Sequence, residues 1–346
     1  CEERAVLREI YVRPVGLYAA RAGEAAEDVW GGFTLAGGPL DIAAVEVIER
    51  NGAKIERRIA GIGEFLDRDW GRRALNAADM FELIRQPRPR LVGLDLTRPR
   101  IMGIVNVTPD SFSDGGQLAG AQAAIDHALR LEGEGADILD IGGESTRPGS
   151  DPVDVEEERR RVLPVIEALA GHVEALISVD TRKAQMMREA VGAGADIVND
   201  VSALTFDAQA LETIADLGVP VVLMHALGDP KTMQDNPAYE DVQLDVFDYL
   251  EARLEACVRA GIARDKIIVD PGIGFGKTLE HYLDLIRGLS LLHGLGVPIL
   301  FGASRKRVIG TLTGVETAGE RVSGSVGAAL AAVAQGAQIV RVHDVA

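Results

Sequence analysis

"GADILDIGGESTRPGS", residues 135–150, holds the joint that decides the fold. Its opening phrase returns as "GADIVND" at 194–200 and as "GAQIVRV" at 336–342. Each copy reads as a glycine ending a helix, followed at once by a β-branched run, which is the repeating joint of a βα array. From residue 101 onward eight such runs occur: "IMGIVNV", "DILDIGG", "ALISVDT", "DIVNDVS", "PVVLMH", "KIIVDPG", "PILFGAS" and "QIVRVHDV". Continuous apolar runs, without the alternation of a half-exposed sheet, predict parallel strands buried on both faces. The segments between them carry a helical period, as in Ala121, Ala124, Ile125 and Ala128 ahead of Gly133 and Gly135. "DVEEERRRVLPVIEALAG" (154–171) is a second helix, with Asp154 and Glu157 placed as a capping pair.

Eight βα units over about 246 residues predict an α/β fold of the (β/α)8 TIM-barrel type, which ordinarily takes about 250 residues. An open doubly wound sheet is the alternative, because periodicity does not decide closure. The helix that would follow the eighth strand is missing from the chain. The chain begins with Cys and stops at "RVHDVA", and is read as a fragment of a longer protein.

Composition narrows the function classes. The 346 residues are 47% hydrophobic and 26% charged, with a formal net charge of −17. No stretch of about 18 apolar residues predicts a membrane span. The acidic balance argues against a nucleic-acid partner, since phosphate-backbone binding needs Lys and Arg in excess. An anionic ligand therefore requires a local basic pocket. Cys1 and Cys257 make no disulfide framework, and Cys257 falls in a helical stripe with Val246, Leu250, Leu254 and Val258, as a buried inert thiol would.

Residues 1–98 read as an N-terminal accessory extension, and 99–346 as the barrel. "REIYVRPVGL" (8–17) and "AVEVIERNGAKIERRIAG" (44–61) are short strands, or a strand and a helix. "RALNAADMFELIRQP" (73–87) is a helix, and "RQPRPR" (85–90) a linker. This part carries no catalytic motif.

In a barrel of this kind, functional groups gather where the strands end. Those positions hold Asn106; Glu144, Ser145, Thr146 and Arg147; Asp180, Thr181 and Arg182; Asn199 and Asp200; His225; Asp270; Ser304, Arg305 and Lys306; and Arg341 with His343. Caps alone would not put charge at most of them, so together they predict an active site. Asp180, Asn199 and Asp270 are acceptors suited to a ring edge rich in N–H donors. Arg147, Lys306, Arg341 and His343 suit phosphate oxygens. Several motifs fail: "PGIGFGKT" (271–278) has Pro271 where a P-loop needs its first glycine, no His/Cys/Asp spacing suits zinc, and no GxSxG elbow occurs. His127, His172, His281 and His293 lie in helix-like segments and read as surface or packing residues.

"NVTPDSFSDGG" (106–116), "DIGGESTRPGS", "SVDT", "IVNDVSAL", "LMHALGDPKTMQ", "DPGIGFGK", "SRK" and "RVHDV" stand in the order and spacing of bacterial dihydropteroate synthase, which residues 100–346 resemble. The resemblance implies a pterin-binding TIM barrel in the cytoplasm that joins 6-hydroxymethyl-7,8-dihydropterin diphosphate to 4-aminobenzoate, giving 7,8-dihydropteroate and pyrophosphate. Carried over by position, it assigns Asp180, Asn199, Asp270 and Lys306 to the pterin and makes Thr146 a further substrate contact. Arg147, Arg341 and His343 fall in the diphosphate pocket, Val342 is another substrate contact, and Asn106 is the ligand of Mg2+. Phe112, Phe275, Ser304 and Arg305 belong to the 4-aminobenzoate side. Lys306, Asp180 and Arg147 are the expected catalytic residues. Asp110 and Asp114 are alternative metal ligands or turn residues.

The implied chemistry is substitution at the pterin methylene carbon, with cations neutralising the leaving pyrophosphate and no protein nucleophile. The resemblance also implies a homodimer, formed through late barrel helices when the chain is full length. Two features depart from the family: the N-terminal extension is longer than usual, and the closing helix is missing. A pterin-binding methyltransferase barrel and a degenerate, non-catalytic barrel are the competing readings. The loop 106–116 reads as a lid whose Phe112 closes over the arylamine.

Overall fold

Residues 9–19, 33–70, 74–107, 116–145, 152–228, 233–234 and 236–346 are described in a computed structural model. The eight predicted runs are eight strands: β5 (Arg100–Asn106), β6 (Ile138–Gly142), β7 (Leu176–Asp180), β8 (Ile197–Asp200), β9 (Val221–Met224), β10 (Ile267–Asp270), β11 (Leu300–Phe301) and β12 (Ile339–Val342). All neighbours pair in parallel, in the order β10-β9-β8-β7-β6-β5-β12-β11. A parallel bridge from Val269 to Ile299, with Val269 N donating to Pro298 O at 3.0 Å, joins the two ends and closes the barrel. That settles the choice between closed barrel and open sheet.

The repeated phrase has a structural reason. Gly135, Gly194 and Gly336 have φ of +108°, +117° and +85°, the left-handed turn that ends a helix. The third residue of each copy then binds the strand before it twice. Asp137, Asp196 and Gln338 donate their backbone N–H to Ile101, Ile177 and Ile299. Their side-chain oxygens accept the N–H of the same three residues at 2.9, 2.9 and 2.8 Å. The repeat is thus a device that ties the start of one strand to the start of the next.

Helices α3 (Gly116–Gly133), α4 (Val155–Leu169), α5 (Ala184–Ala193), α6 (Ala210–Leu217), α7 (Val242–Arg259) and α8 (Leu279–Arg287) stand one to each connection between β5 and β11, while α9 (Arg307–Thr313) and α10 (Val322–Val333) both lie between β11 and β12. Asp154 caps α4 by accepting from Glu157 N at 2.9 Å, which is half of the expected capping pair, while the Glu157 carboxylate accepts from Arg160 and Arg161. Cys257 is buried in α7, in the apolar stripe expected of it, and burial pushes its thiol up to about 11. Side chains alternate along each strand, so every second residue enters the barrel. Met102, Ile138, Ile197, Val222, Ile268, Leu300 and Ile339 make an apolar floor, sealed by Leu91 and Leu96 from the approach to β5.

Ahead of the barrel, β1 (Ile10–Ala19), β2 (Phe33–Thr34), β3 (Leu40–Asn51) and β4 (Lys54–Gly61) form an antiparallel sheet, followed by α1 (Ile62–Asp67) and α2 (Ala74–Arg85). The strands-only reading of "AVEVIERNGAKIERRIAG" holds, because Asn51 to Lys54 form a tight hairpin with Gly52 at φ +61°. This sheet packs on α7 and the turn at 289–295. Tyr11 Oη and Arg50 Nη1 each donate to Asp248 at 2.7 Å, and Ser290 Oγ donates to Pro14 O at 2.9 Å.

Candidate active site

The layer above the apolar floor is polar. Asp140, Ser178, Asn199, Asp270 and Arg341 come from five different strands and all lie within the barrel; Asp180 stands one step higher on β7. Arg341 donates from Nη2 to Asp180 Oδ2 at 3.0 Å and from Nε to Asp140 Oδ2 at 2.6 Å. The same Asp140 oxygen accepts from Asn199 Nδ2 at 3.0 Å, and Oδ1 accepts from Ser178 Oγ at 2.7 Å. Charge-assisted bonds of this kind are worth roughly 1.5–3 kcal/mol each, enough to hold four side chains in one arrangement.

Electrostatics follow from the burial. Desolvation pushes the Asp180 carboxyl well above its ordinary range, the Asp140 charge adds to the rise, and Arg341 opposes it. Burial also raises Asp270, against the pull of Lys306, while Gly272 N donates to its Oδ1 at 2.7 Å. Lys306, the residue before α9, is pushed down to about 8 by burial, with Asp270 opposing. Its ammonium donates to Ile273 O and stands 4.7 Å from the centre of the Phe275 ring. The geometry thus joins Asp180, Asn199, Asp270, Lys306, Phe275 and Arg341 at one end of the barrel. Arg341 has a role beyond the one expected: it is the counterion of two buried carboxylates.

Ser304 and His343 form a second group. Ser304 Oγ accepts from His343 N at 3.1 Å and lies 3.0 Å from its Nδ1. Arg305 is held by Asp344 in a two-bond pair. Val342, the last residue of β12, is half-buried beside them. Asn106 ends β5, exposed, and with His343, Arg305 and Asp344 borders one side of a cavity of about 660 Å³ that runs along α3, against Ala124, His127, Arg130 and Leu131, and does not reach Asp180, Asp270 or Lys306. Thr146, Arg147 and Phe112, like Asp110 and Asp114 and the rest of the 108–115 loop, lie outside the described residues.

Other polar strand ends hold loops rather than face the centre. Glu144 accepts from Arg182 and Lys183, and Lys183 also binds the fully buried Glu158. Asp200 accepts from Ser202 N and Leu204 N at 2.7 and 3.0 Å. His293 is wholly buried, its Nε2 3.0 Å from Gln335 O, a packing residue as expected.

Two residues escaped the sequence reading. Asp140 sits inside the quoted run "DILDIGG", and its signal was a carboxylate in an otherwise apolar buried strand. Lys277, met only as the lysine of a failed P-loop, is buried. It donates to His225 Nδ1 at 2.8 Å and to Phe275 O at 3.0 Å. Burial lowers it to about 7, and burial together with Lys277 keeps His225 neutral. The pair pins the loop that carries Phe275. Gly272 in that loop has no alternative, since φ is +67° and a Cβ would lie 1.9 Å from His225 O.

Residues 102–343 match the model of a family described as pterin binding enzyme. Dihydropteroate synthase of Escherichia coli K12 is 50% identical over 252 residues, which is 73% of this chain and 89% of that protein. Among solved structures, Xanthomonas albilineans dihydropteroate synthase with 4-aminobenzoic acid aligns at a TM-score of 0.71 and 54% identity, over 75% of this chain and 93% of the other. The same enzyme in complex with 7,8-dihydropteroate aligns at 0.68 and 51%, over 74% and 94%.

Proposed function

This chain belongs to the pterin-binding enzyme family, among the dihydropteroate synthases, and on that premise we propose how its residues divide the reaction. The enzyme condenses 6-hydroxymethyl-7,8-dihydropterin diphosphate with 4-aminobenzoate in folate biosynthesis, giving 7,8-dihydropteroate and pyrophosphate. The observation that carries the division is the convergence of Asp180, Asn199, Asp270 and Lys306 at one end of the barrel. The three acceptors read the N–H edge of the pterin, and the Lys306 ammonium faces the same ring. Phe275 lies on the 4-aminobenzoate side, with Ser304, Arg305 and Phe112. Arg341, Val342 and His343, with Arg147 and Thr146, serve the diphosphate.

The C–O bond at the pterin methylene breaks, its electron pair leaving on pyrophosphate. The arylamine nitrogen bonds to that carbon and releases a proton to water. Asp180 and Asp270 favour the charge the pterin gains as the C–O bond lengthens, and the cations favour the charge on the leaving group.

Asn106 is the proposed Mg2+ ligand. Among the described residues no three His, Cys, Asp or Glu side chains are placed to hold a metal ion between them. A single amide oxygen beside a phosphate-binding group fits an ion that keeps several waters and takes its other ligands from substrate. When bound, Mg2+ supplies charge neutralisation at the diphosphate.

A homodimer, through the outer faces of α9 and α10, is the proposed assembly. Leu312, Val326 and Leu330 are 49%, 47% and 62% exposed there, while the N-terminal sheet covers α7 instead. The described strands of the N-terminal segment lie on that flank, and residues 1–98 are assigned as an accessory extension. No helix among the described residues is long and apolar enough to cross a membrane; a cytoplasmic site of action rests on the family resemblance.

The test is a product assay with the whole chain. Dihydropteroate and pyrophosphate should form in equal amounts, and Asn106→Ala should raise the Mg2+ concentration giving half-maximal rate. An unchanged Mg2+ requirement removes Asn106 from the metal, and no product removes the division of roles.

A further inference from the structure

Asp140 is wholly buried, yet three side chains from three other strands donate to it: Ser178 at 2.7 Å, Asn199 at 3.0 Å and Arg341 at 2.6 Å. A carboxylate in an apolar strand is costly, and here its bonds run to residues that also face the pterin site. The Asn199 bond has a chemical consequence. A carboxylate only accepts, so Asn199 must turn its amide nitrogen toward Asp140. The amide oxygen is then the group Asn199 can offer a ligand. Arg341 is likewise held by Nε at Asp140, which sets where Nη2 meets Asp180.

We propose that Asp140 is a positioning residue for pterin recognition, which fixes Asn199 as a hydrogen-bond acceptor and aims Arg341 at Asp180. It touches no substrate. This rests on the pterin assignment made above. The site's preference for a ring edge of N–H donors then depends on a residue one layer below the ligand, because a free amide presents its donor as readily as its acceptor.

The experiment compares Asp140→Asn with the wild-type chain. The variant keeps the shape but carries its own donor, so Asn199 no longer has one enforced orientation. The KM for the pterin diphosphate is expected to rise about tenfold or more, with the 4-aminobenzoate KM held within about twofold, as expected when one tuned bond to one substrate is lost. Asn199→Asp in that background should recover most of the loss, since a carboxylate offers an acceptor whichever way it turns. Equal losses for both substrates without recovery would show a merely structural role and overturn the proposal, as would an unchanged pterin KM. Should Asp140→Asn not fold, judged by circular dichroism, Ser178→Ala loosens Asp140 more gently. It should raise the pterin KM alone by about two- to fivefold, and no change overturns the proposal. Calorimetric binding of the pterin diphosphate carries the same comparison independently of turnover. Wild-type binding without product would therefore count against the reaction and not against Asp140.

Discussion

The Lys306 ammonium stands 4.7 Å from the centre of the Phe275 ring, held there by a bond to Ile273 O. A cation over an aromatic face, inside a buried site, links the residue assigned to the pterin with the residue assigned to the arylamine. Lys306→Ala and Asp180→Ala should each lower turnover by at least about a hundredfold, as removal of a preorganised charge at a reacting centre does. Circular dichroism should show both folded, and wild-type-like rates in both would refute the assignment.

Burial lowers Lys306 to about 8, so its cation is lost as pH rises through that value. The kcat/KM for the pterin diphosphate should therefore fall on the alkaline side, with a limb near pH 8. Lys306→Arg keeps its charge far higher and should lack that limb. A wild-type profile flat to pH 10 would exclude a role for the cation.

Lys277 ties His225 to the carbonyl of Phe275, so the loop carrying Phe275 is braced by a buried bond rather than by substrate. Lys277→Met leaves both acceptors without that donor, and should raise the 4-aminobenzoate KM more than the pterin KM. Comparable changes in the two constants would contradict the placement of Phe275.

By calorimetry, 4-aminobenzoate should bind appreciably only when the pterin diphosphate or pyrophosphate is present, as the proposed placement of its pocket on the loop carrying Phe275 predicts. Tight binding to the free protein would exclude that order.

Asp196 accepts the N–H of Ile177 at the foot of β7, far from the polar end of the barrel. Asp196→Ala leaves a buried donor unpaired and should cost about 1–3 kcal/mol in urea unfolding, with both KM values unchanged. Arg50→Met strips Asp248 of its cation but leaves it the Tyr11 hydroxyl. It should cost about 2–3 kcal/mol and leave turnover unaltered, as befits an accessory sheet.

All eight barrel strands were legible as local runs, since a strand buried on both faces must be apolar along its whole length. The acceptors Asp180, Asn199 and Asp270 were legible for the complementary reason: polar residues at the ends of such strands are too costly to be accidental. The glycine of each repeat announced a left-handed turn. Closure was not legible, because the bridge from Val269 to Ile299 depends on the accumulated tilt of all the strands. Nor was the pairing of Asp140 with Asn199 and Arg341, residues 59 and 201 positions away. The amino-acid order alone set the period, the turns and the chemical kinds of group at the strand ends. Tertiary structure alone decided which of those groups face one another, and so which brace the others, because a hydrogen bond is made across space and a strand's neighbours are not its neighbours in sequence.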